Sequence, residues 1–130
     1  MFQVSSSRTF DVAAVDMWAR VGDFHGLHSW HPNVTATKIG TEPNARIVTI
    51  VGGGEMVETL LDEGNFFYVY RVDTLGKRYE SLKGTLRVQE TGPGACVVEW
   101  VADGDVTTAL TEEEATEMIR AFHKAGLDAL

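Results

Sequence analysis

The chain has 130 residues, a formal net charge of −8 at pH 7 and an apolar fraction of 44%. This length predicts a single domain over residues 1–130, with enough apolar content for a folded core. The negative charge argues against nucleic acid as a partner and against anionic membrane surfaces, because both are bound through basic patches. No run approaches the roughly 20 apolar residues that cross a bilayer, and the N-terminus lacks the pattern of a secretion signal, so we expect no membrane insertion and a cytoplasmic protein. With Cys96 as the only cysteine, an internal disulfide is excluded, which fits a reducing compartment.

The first part of the chain predicts a strand and two short helices. Alternating side chains from Phe2 to Phe10 are typical of a strand. Apolar residues at helical spacing follow, with Asp11 placed to cap this helix and Gly22 placed to end it. The segment DFHGLHSWHP predicts a second short helix or a compact loop, which Pro32 ends.

The middle of the chain alternates with a period of two, which predicts six further strands. We place them at 34–40, 45–51, 55–61, 66–73, 80–90 and 95–103. Short segments rich in Gly, Pro, Asn and Asp separate them, and connections this short join antiparallel neighbours. The middle of the chain therefore predicts an antiparallel meander.

The last twenty residues predict a long amphipathic helix from about Thr111 to Leu130. Thr111 and Glu114 have the spacing of a capping box. One apolar face combines Ala115, Met118, Ile119, Phe122, Gly126, Leu127 and Leu130. For His123 a position at the boundary of that face is favoured, and a place in the cavity wall is the alternative. A face this broad must pack on the sheet, so the fold class is α+β, and a curved sheet would leave a cavity beside the helix.

Segments along nearly the whole chain resemble the START-like SRPBCC superfamily, and in particular its bacterial polyketide cyclase/dehydrase-like branch. The segments are VDMWARVGDFHGLHSWHPNV, ARIVTIVGGGEMVETLLD, YVYRV, GTLRV, VVEW and IRAFHKAGLDAL. The resemblance implies a helix-grip fold, in which a curved seven-stranded antiparallel sheet surrounds the C-terminal helix and two short helices follow the first strand. It also implies that a hydrophobic ligand lies between the helix and the concave sheet face. Relatives often carry a tyrosine near the start of the sixth strand, where this chain has Leu82 or, slightly earlier, Tyr79.

Arg46 and Glu58 are the candidate catalytic residues. A turn centred on Gly52 places them opposite each other on adjacent strands, where Cβ atoms lie about 4.5–5.5 Å apart. The resemblance favours the strand face that carries both residues as the concave face. Facing inward, the pair would bind a ligand carbonyl, hydroxyl or carboxylate, or move protons; at the sheet surface it would be an ordinary cross-strand salt bridge. Both interpretations stay open at this point.

Strand parity and the resemblance together select the side chains that would surround a ligand. The predicted ligand-binding residues are Trp30, His31, Val48, Met56, Glu58, Leu60, Tyr68, Tyr70, Leu82, Trp100, Met118 and Phe122. The aromatic members suit plain core packing as well as stacking on a ring-bearing ligand. We expect the cavity entrance near His28, His31 and the loop at 74–79.

Three histidines, His25, His28 and His31, recur every three residues, and this spacing can place metal ligands on one helical face. Gly26 and Pro32 interrupt a regular helix there, so packing and capping roles are favoured, and one histidine could act as an acid or base near neutral pH. We predict neither a metal site nor a cofactor.

The sequence supports three functional hypotheses. The first is a carrier or sensor that binds a hydrophobic small molecule, such as a lipid, a polyketide or an aromatic metabolite. The second is a cofactor-independent cyclase or dehydratase, of lyase or isomerase type, that uses acid–base residues in the same cavity. The third is a protein-interaction domain with an incidental cavity. A monomer and a homodimer are both compatible with the sequence.

Overall fold

The computed structural model describes residues 1–130, and its main feature is one seven-stranded antiparallel sheet. The strands are β1 (Phe2–Phe10), β2 (Val34–Ile39), β3 (Ala45–Ile50), β4 (Glu55–Gly64), β5 (Phe67–Val72), β6 (Tyr79–Gly92) and β7 (Ala95–Val106). Their order across the sheet is β1-β7-β6-β5-β4-β3-β2. From β2 onward each strand pairs with the next one, as the short turns predict, and β1 pairs with β7. The predicted antiparallel sheet is confirmed.

Two α-helices and one turn of 3-10 helix accompany the sheet. α1 (Ala14–Val21) and the 3-10 turn (Leu27–Ser29) lie in the connection between β1 and β2, and α2 (Glu112–Asp128) follows β7. The curved sheet surrounds α2, which packs mainly against β1 and β7. The predicted helix-grip, START-like arrangement is therefore confirmed. None of these helices combines the length and the apolar character needed to cross a bilayer.

The start of α2 has the predicted capping chemistry, whereas α1 begins later than expected. Thr111 Oγ1 accepts a hydrogen bond from the Glu114 backbone N–H at 3.0 Å, and the Glu114 carboxylate accepts one from the Thr111 N–H at 3.1 Å. α1 begins after Ala13, with no side-chain cap, so Asp11 does not cap it. Gly22 ends α1 as predicted. The second predicted helix is only the 3-10 turn, because Gly26 and the approach to Pro32 leave no room for a longer one.

Two apolar clusters lie between the sheet and the helices. The larger one contains Met17 of α1 and Leu27 of the 3-10 turn, packed over Trp100 of β7. The smaller one surrounds Phe2 of β1, near the start of α2. Leu82 packs against both clusters. The interior between the two clusters is not completely filled, and the candidate site occupies this space.

Candidate functional site

A cavity of about 500 Å³ lies between the sheet and α2. The sheet side of its wall includes Ile50, Met56, Val72, Leu82 and Ala102. The helix side consists of Met118, Ile119, Phe122 and His123. Most of these side chains are apolar, so the cavity favours an apolar occupant, and the few polar groups that reach it determine what else it can recognise.

The cavity opens between the β3–β4 turn, the beginning of β6 and the first half of α2. Gly52 borders one side of the entrance, and Arg78 and Lys83 border the other. Gly52 has a φ of 102°, a conformation that glycine adopts without the strain another residue would carry. His28 and His31 do not border this entrance, so the entrance differs from the predicted one and coincides with it only at the loop before β6.

Arg46 and Glu58 form a buried ion pair on the concave face of the sheet. They are direct partners in the β3–β4 register, as the turn centred on Gly52 predicts. The Arg46 Nε donates to Glu58 Oε1 at 2.8 Å, and Nη2 lies 2.7 Å from the same oxygen. Arg46 is 0% exposed and Glu58 4% exposed. The interpretation as an exposed surface salt bridge is therefore wrong, because the side chains face the interior.

Aromatic rings and polar oxygens enclose the Arg46 guanidinium. Its central carbon lies 4.1 Å from the ring centre of Phe24, 4.9 Å from that of Tyr70 and 5.6 Å from that of Tyr68. Nη1 donates to the Phe24 carbonyl at 2.8 Å. Burial lowers the pKa of Arg46, but Glu58 and the two tyrosine oxygens outweigh that effect and hold the pKa above its ordinary value. Arg46 therefore stays charged, and Glu58 is its counter-ion inside the protein.

Glu58 is the acidic residue that this pair presents to the cavity. Both contacts from Arg46 use Oε1, and Glu58 forms part of the cavity wall. Its other oxygen, Oε2, makes no hydrogen bond within the protein, so it remains free to accept one from a bound molecule. A carboxylate held by an arginine is fixed in position, and such a group orients a ligand hydroxyl through a charge-assisted hydrogen bond.

Tyr70 and Trp100 form a second buried polar contact next to the pair. The Trp100 Nε1–H donates to the Tyr70 hydroxyl at 3.0 Å. Burial raises the pKa of Tyr70, and the charge of Glu58 raises it further, so the phenol stays protonated. Tyr70 reaches the cavity wall while Trp100 lies behind it. Gly84 makes this arrangement possible, because a Cβ at that position would lie 2.2 Å from the Tyr70 ring.

His123 is the one histidine in the cavity wall. It is 3% exposed, its ring stacks on Trp100 at 4.2 Å with an interplanar angle of 8°, and its Nδ1 has no hydrogen-bond partner. Burial, together with the nearby His31, lowers the pKa of His123 to about 3. The imidazole is therefore neutral at physiological pH, with one nitrogen that donates and one that accepts.

Two of the other histidines, His25 and His31, have structural contacts, and His28 is exposed. His25 Nε2 lies 3.0 Å from the Ala45 carbonyl. In His31, Nδ1 accepts from the Asn33 N–H at 3.1 Å, and Nε2 lies 2.8 Å from the Phe122 carbonyl. The three rings do not converge on a common point, and no cluster of His, Cys, Asp and Glu has the arrangement of a metal site.

The structure brings half of the predicted ligand-binding residues into the cavity wall. These are Met56, Glu58, Tyr70, Leu82, Met118 and Phe122. The others lie outside that wall: Trp30, His31, Val48, Leu60, Tyr68 and Trp100. All of these except Leu60, which is half-buried, are in the solid interior near α1 and the 3-10 turn. Those two elements fill one end of the space under the sheet, which confines the cavity to the other end.

Several wall residues have no counterpart in the sequence-based prediction. The β3–β4 turn and the first residues of β4 and β6 contribute Gly54, Glu55 and Lys83. These residues are turn or surface residues, and hydrophobic periodicity does not detect such positions. His123 was the alternative wall residue of the prediction because it follows Phe122 on the same helix, and the structure places it in the wall. It is 3% exposed, whereas Met118 is 44% exposed.

The fold and the cavity together define a START-like protein of the helix-grip type. A sequence model of the family described as "polyketide cyclase / dehydrase and lipid transport" matches residues 1–130. The chain therefore belongs to this family, and its fold is the hydrophobic-ligand-binding fold of polyketide cyclase/dehydrase type. No curated protein matches the chain by sequence.

Solved structures agree with this fold at low sequence identity. The protein XoxI from Bacillus cereus superposes with a TM-score of 0.93 at 21% identity, over 99% of this chain and 92% of the other. A START superfamily protein from Mycobacterium smegmatis gives a TM-score of 0.78 at 14% identity, over 98% and 96%. The Zhui aromatase/cyclase from Streptomyces sp. R1128 gives 0.72 at 21% identity, over 98% and 89%. Identities this low establish the shared fold and nothing more.

Proposed function

We propose that this protein binds a hydrophobic small molecule in the cavity between the sheet and α2, as a carrier or sensor. The observation that carries the proposal is the cavity itself, which measures about 500 Å³ and has a mainly apolar wall. Ligand sites typically measure about 300–1,000 Å³ and combine an apolar wall with a few polar groups. A lipid, a polyketide or an aromatic metabolite fits this description.

The ion pair between Arg46 and Glu58 supports binding more than catalysis. Both side chains are buried, and the guanidinium holds one carboxylate oxygen through two contacts. A carboxylate held in this way is a fixed acceptor, and a fixed acceptor orients a ligand hydroxyl through a charge-assisted hydrogen bond without any proton transfer.

A second candidate function is a polyketide cyclase or dehydratase without a cofactor. Its support is the family to which the chain belongs, together with an acidic side chain in the cavity wall. In this function, Glu58 would take a proton from a carbon next to a ligand carbonyl and return it to a departing hydroxyl, which leaves as water. The Tyr70 phenol would hold the carbonyl oxygen.

A cavity-filling substitution tests the binding function. Ala102 lines the cavity, so Ala102→Phe places a ring in the empty space, while Ala121→Phe adds the same ring to an exposed position on α2. The readouts are fluorescence titration with an apolar dye and native mass spectrometry for a copurifying molecule. We expect Ala102→Phe to abolish both signals and Ala121→Phe to keep them. Equal signals in both variants would contradict a ligand site in this cavity.

Glu58→Gln separates the two candidate functions. The substitution keeps the shape of the side chain and removes its negative charge. If the protein is an enzyme, turnover of an aromatic polyketide substrate should fall by about 100-fold or more, which is the usual contribution of a general acid or base. A carrier should show no turnover in either form, and only its affinity should change.

A further inference from the structure

We propose that His123 is a second polar contact for the ligand and that its imidazole exchanges hydrogen bonds with an uncharged hydroxyl group. The inference rests on the proposed binding function and specifies its ligand chemistry. The occupant would be an apolar alcohol or phenol whose hydroxyl points to the inner part of the cavity, and a carboxylate would not take that position.

The accessible ring nitrogen of His123 is the first argument. The residue is 3% exposed and belongs to the cavity wall. Protein atoms enclose Nδ1, so Nε2 is the ring nitrogen that remains for a molecule in the cavity. No side chain or backbone group of the protein forms a hydrogen bond with Nε2, and a ligand hydroxyl beside the ring provides that partner.

The orientation of the ring is the second argument. The imidazole lies parallel to the Trp100 indole at 4.2 Å, and the Trp100 Nε1–H is held by the Tyr70 hydroxyl at 3.0 Å. These contacts fix the ring plane before a ligand arrives. A preorganised polar group binds with little entropic cost, which is typical of a specificity contact.

The charge distribution is the third argument. Glu58 neutralises the charge of Arg46. The cations of the cavity wall, Arg78 and Lys83, are exposed residues at the entrance. Burial keeps the pKa of His123 low, at about 3, so the imidazole is not a cation either. A carboxylate in the inner cavity would lie near the negative charge of Glu58 without a counter-ion, at a high desolvation cost. A hydroxyl carries no such cost.

The test compares two matched probes, 2-naphthol and 2-methylnaphthalene, which differ by a hydroxyl against a methyl group. The proteins are the wild type, His123→Phe, which keeps an aromatic ring on Trp100, and Ala121→Phe as the exposed control on α2. Affinities come from fluorescence titration. We expect His123→Phe to lower the affinity for 2-naphthol about 5- to 10-fold, the effect of one hydrogen bond, and to keep the affinity for 2-methylnaphthalene. Ala121→Phe should bind both probes as the wild type does.

Two results would overturn the inference while leaving the binding function intact. One is an equal loss of affinity for both probes in His123→Phe, which would show that the histidine only packs against the ligand. The other is unchanged affinity for 2-naphthol. If the wild type binds neither probe and no apolar dye, the proposed function itself fails, and the inference fails with it.

A measurement on the wild type keeps the inference testable if His123→Phe does not fold. The ¹⁵N resonances of the His123 ring are recorded by NMR during titration with each probe. We expect the unprotonated nitrogen to shift with 2-naphthol and to stay unchanged with 2-methylnaphthalene. Resonances that respond to both probes alike, or to neither, would overturn the inference.

Discussion

Arg46 holds Glu58 by a single carboxylate oxygen: Nε donates to Oε1 at 2.8 Å and Nη2 lies 2.7 Å from it. The second oxygen makes no hydrogen bond within the protein. One residue thus has two roles, since it neutralises a buried cation and offers a fixed acceptor to a ligand. The cost of burying both charges is offset only while both partners are present.

Arg46→Met should therefore lower the free energy of unfolding by about 3–5 kcal/mol at neutral pH, because it leaves a buried carboxylate without a counter-ion. Urea denaturation measures the loss. The double variant Arg46→Met/Glu58→Leu should recover most of it, since it removes both charges. A double variant as unstable as the single one would show that the lost contacts of Arg46 with Phe24 matter more than the ion pair.

Tyr70→Phe should cost about 1–2 kcal/mol of unfolding free energy, because the Trp100 Nε1–H then has no acceptor in a buried site. Tyr79→Phe provides the control, since Tyr79 is only half-buried and its hydroxyl makes no hydrogen bond to another side chain. That variant should stay within about 0.5 kcal/mol of the wild type. Equal effects of the two substitutions in thermal and urea denaturation would contradict a stabilising role for the Tyr70–Trp100 contact.

Gly84→Ala should destabilise the fold by about 1–3 kcal/mol, as expected for overpacking against the Tyr70 ring. The added Cβ would lie 2.2 Å from a ring carbon of Tyr70 and 2.3 Å from its hydroxyl oxygen, so the ring must move. Gly94→Ala is the matched control, because no atom lies within 4 Å of a Cβ at that position. Denaturation midpoints that fall equally in both variants would show that the loss reflects glycine's backbone and not the Tyr70 ring.

The sequence predicted the fold because local patterns and long-range packing agree in this chain. Periodicity located every strand and the long helix, and the turn centred on Gly52 correctly paired Arg46 with Glu58. The ends of the strands were less accurate. β4 continues to Gly64 and β7 to Val106, because polar residues at the sheet margin pair in the ladder although they break the apolar alternation.

The limits of the cavity could not be predicted from the same patterns. The alternation of side chains along the strands places Trp100 and Tyr70 on the same concave face. Tyr70 nevertheless forms part of the cavity wall, whereas Trp100 lies behind it. The difference depends on how far α1 and the 3-10 turn fill the concave face, which is a matter of three-dimensional packing. His123 was favoured as a boundary residue for a related reason, since the ring becomes a wall residue only because Trp100 lies flat beneath it.

The last prediction concerns stability between about pH 7 and pH 5. Burial lowers the pKa of His31 and that of His123 in the folded protein, the latter to about 3 from an ordinary value of 6.5. Below about pH 6.5 the unfolded chain therefore binds protons that the folded protein does not. The free energy of unfolding consequently decreases as the pH is lowered. The stabilisation is complete above that value and is lost progressively toward pH 3.

Urea denaturation at several pH values measures this slope, and the window above pH 5 avoids most carboxylate titration, which is centred near pH 4 in unfolded chains. In His123→Phe the slope should be smaller than in the wild type, since only His31 of the two buried histidines remains. Ala121→Phe, an exposed change on the same helix, should keep the full slope. An unchanged slope in His123→Phe would contradict the prediction, because it would mean that the wild-type His123 takes up a proton as readily in the folded protein as in the unfolded chain. A charged imidazole in the cavity wall would then accept the carboxylate ligands that a neutral one excludes.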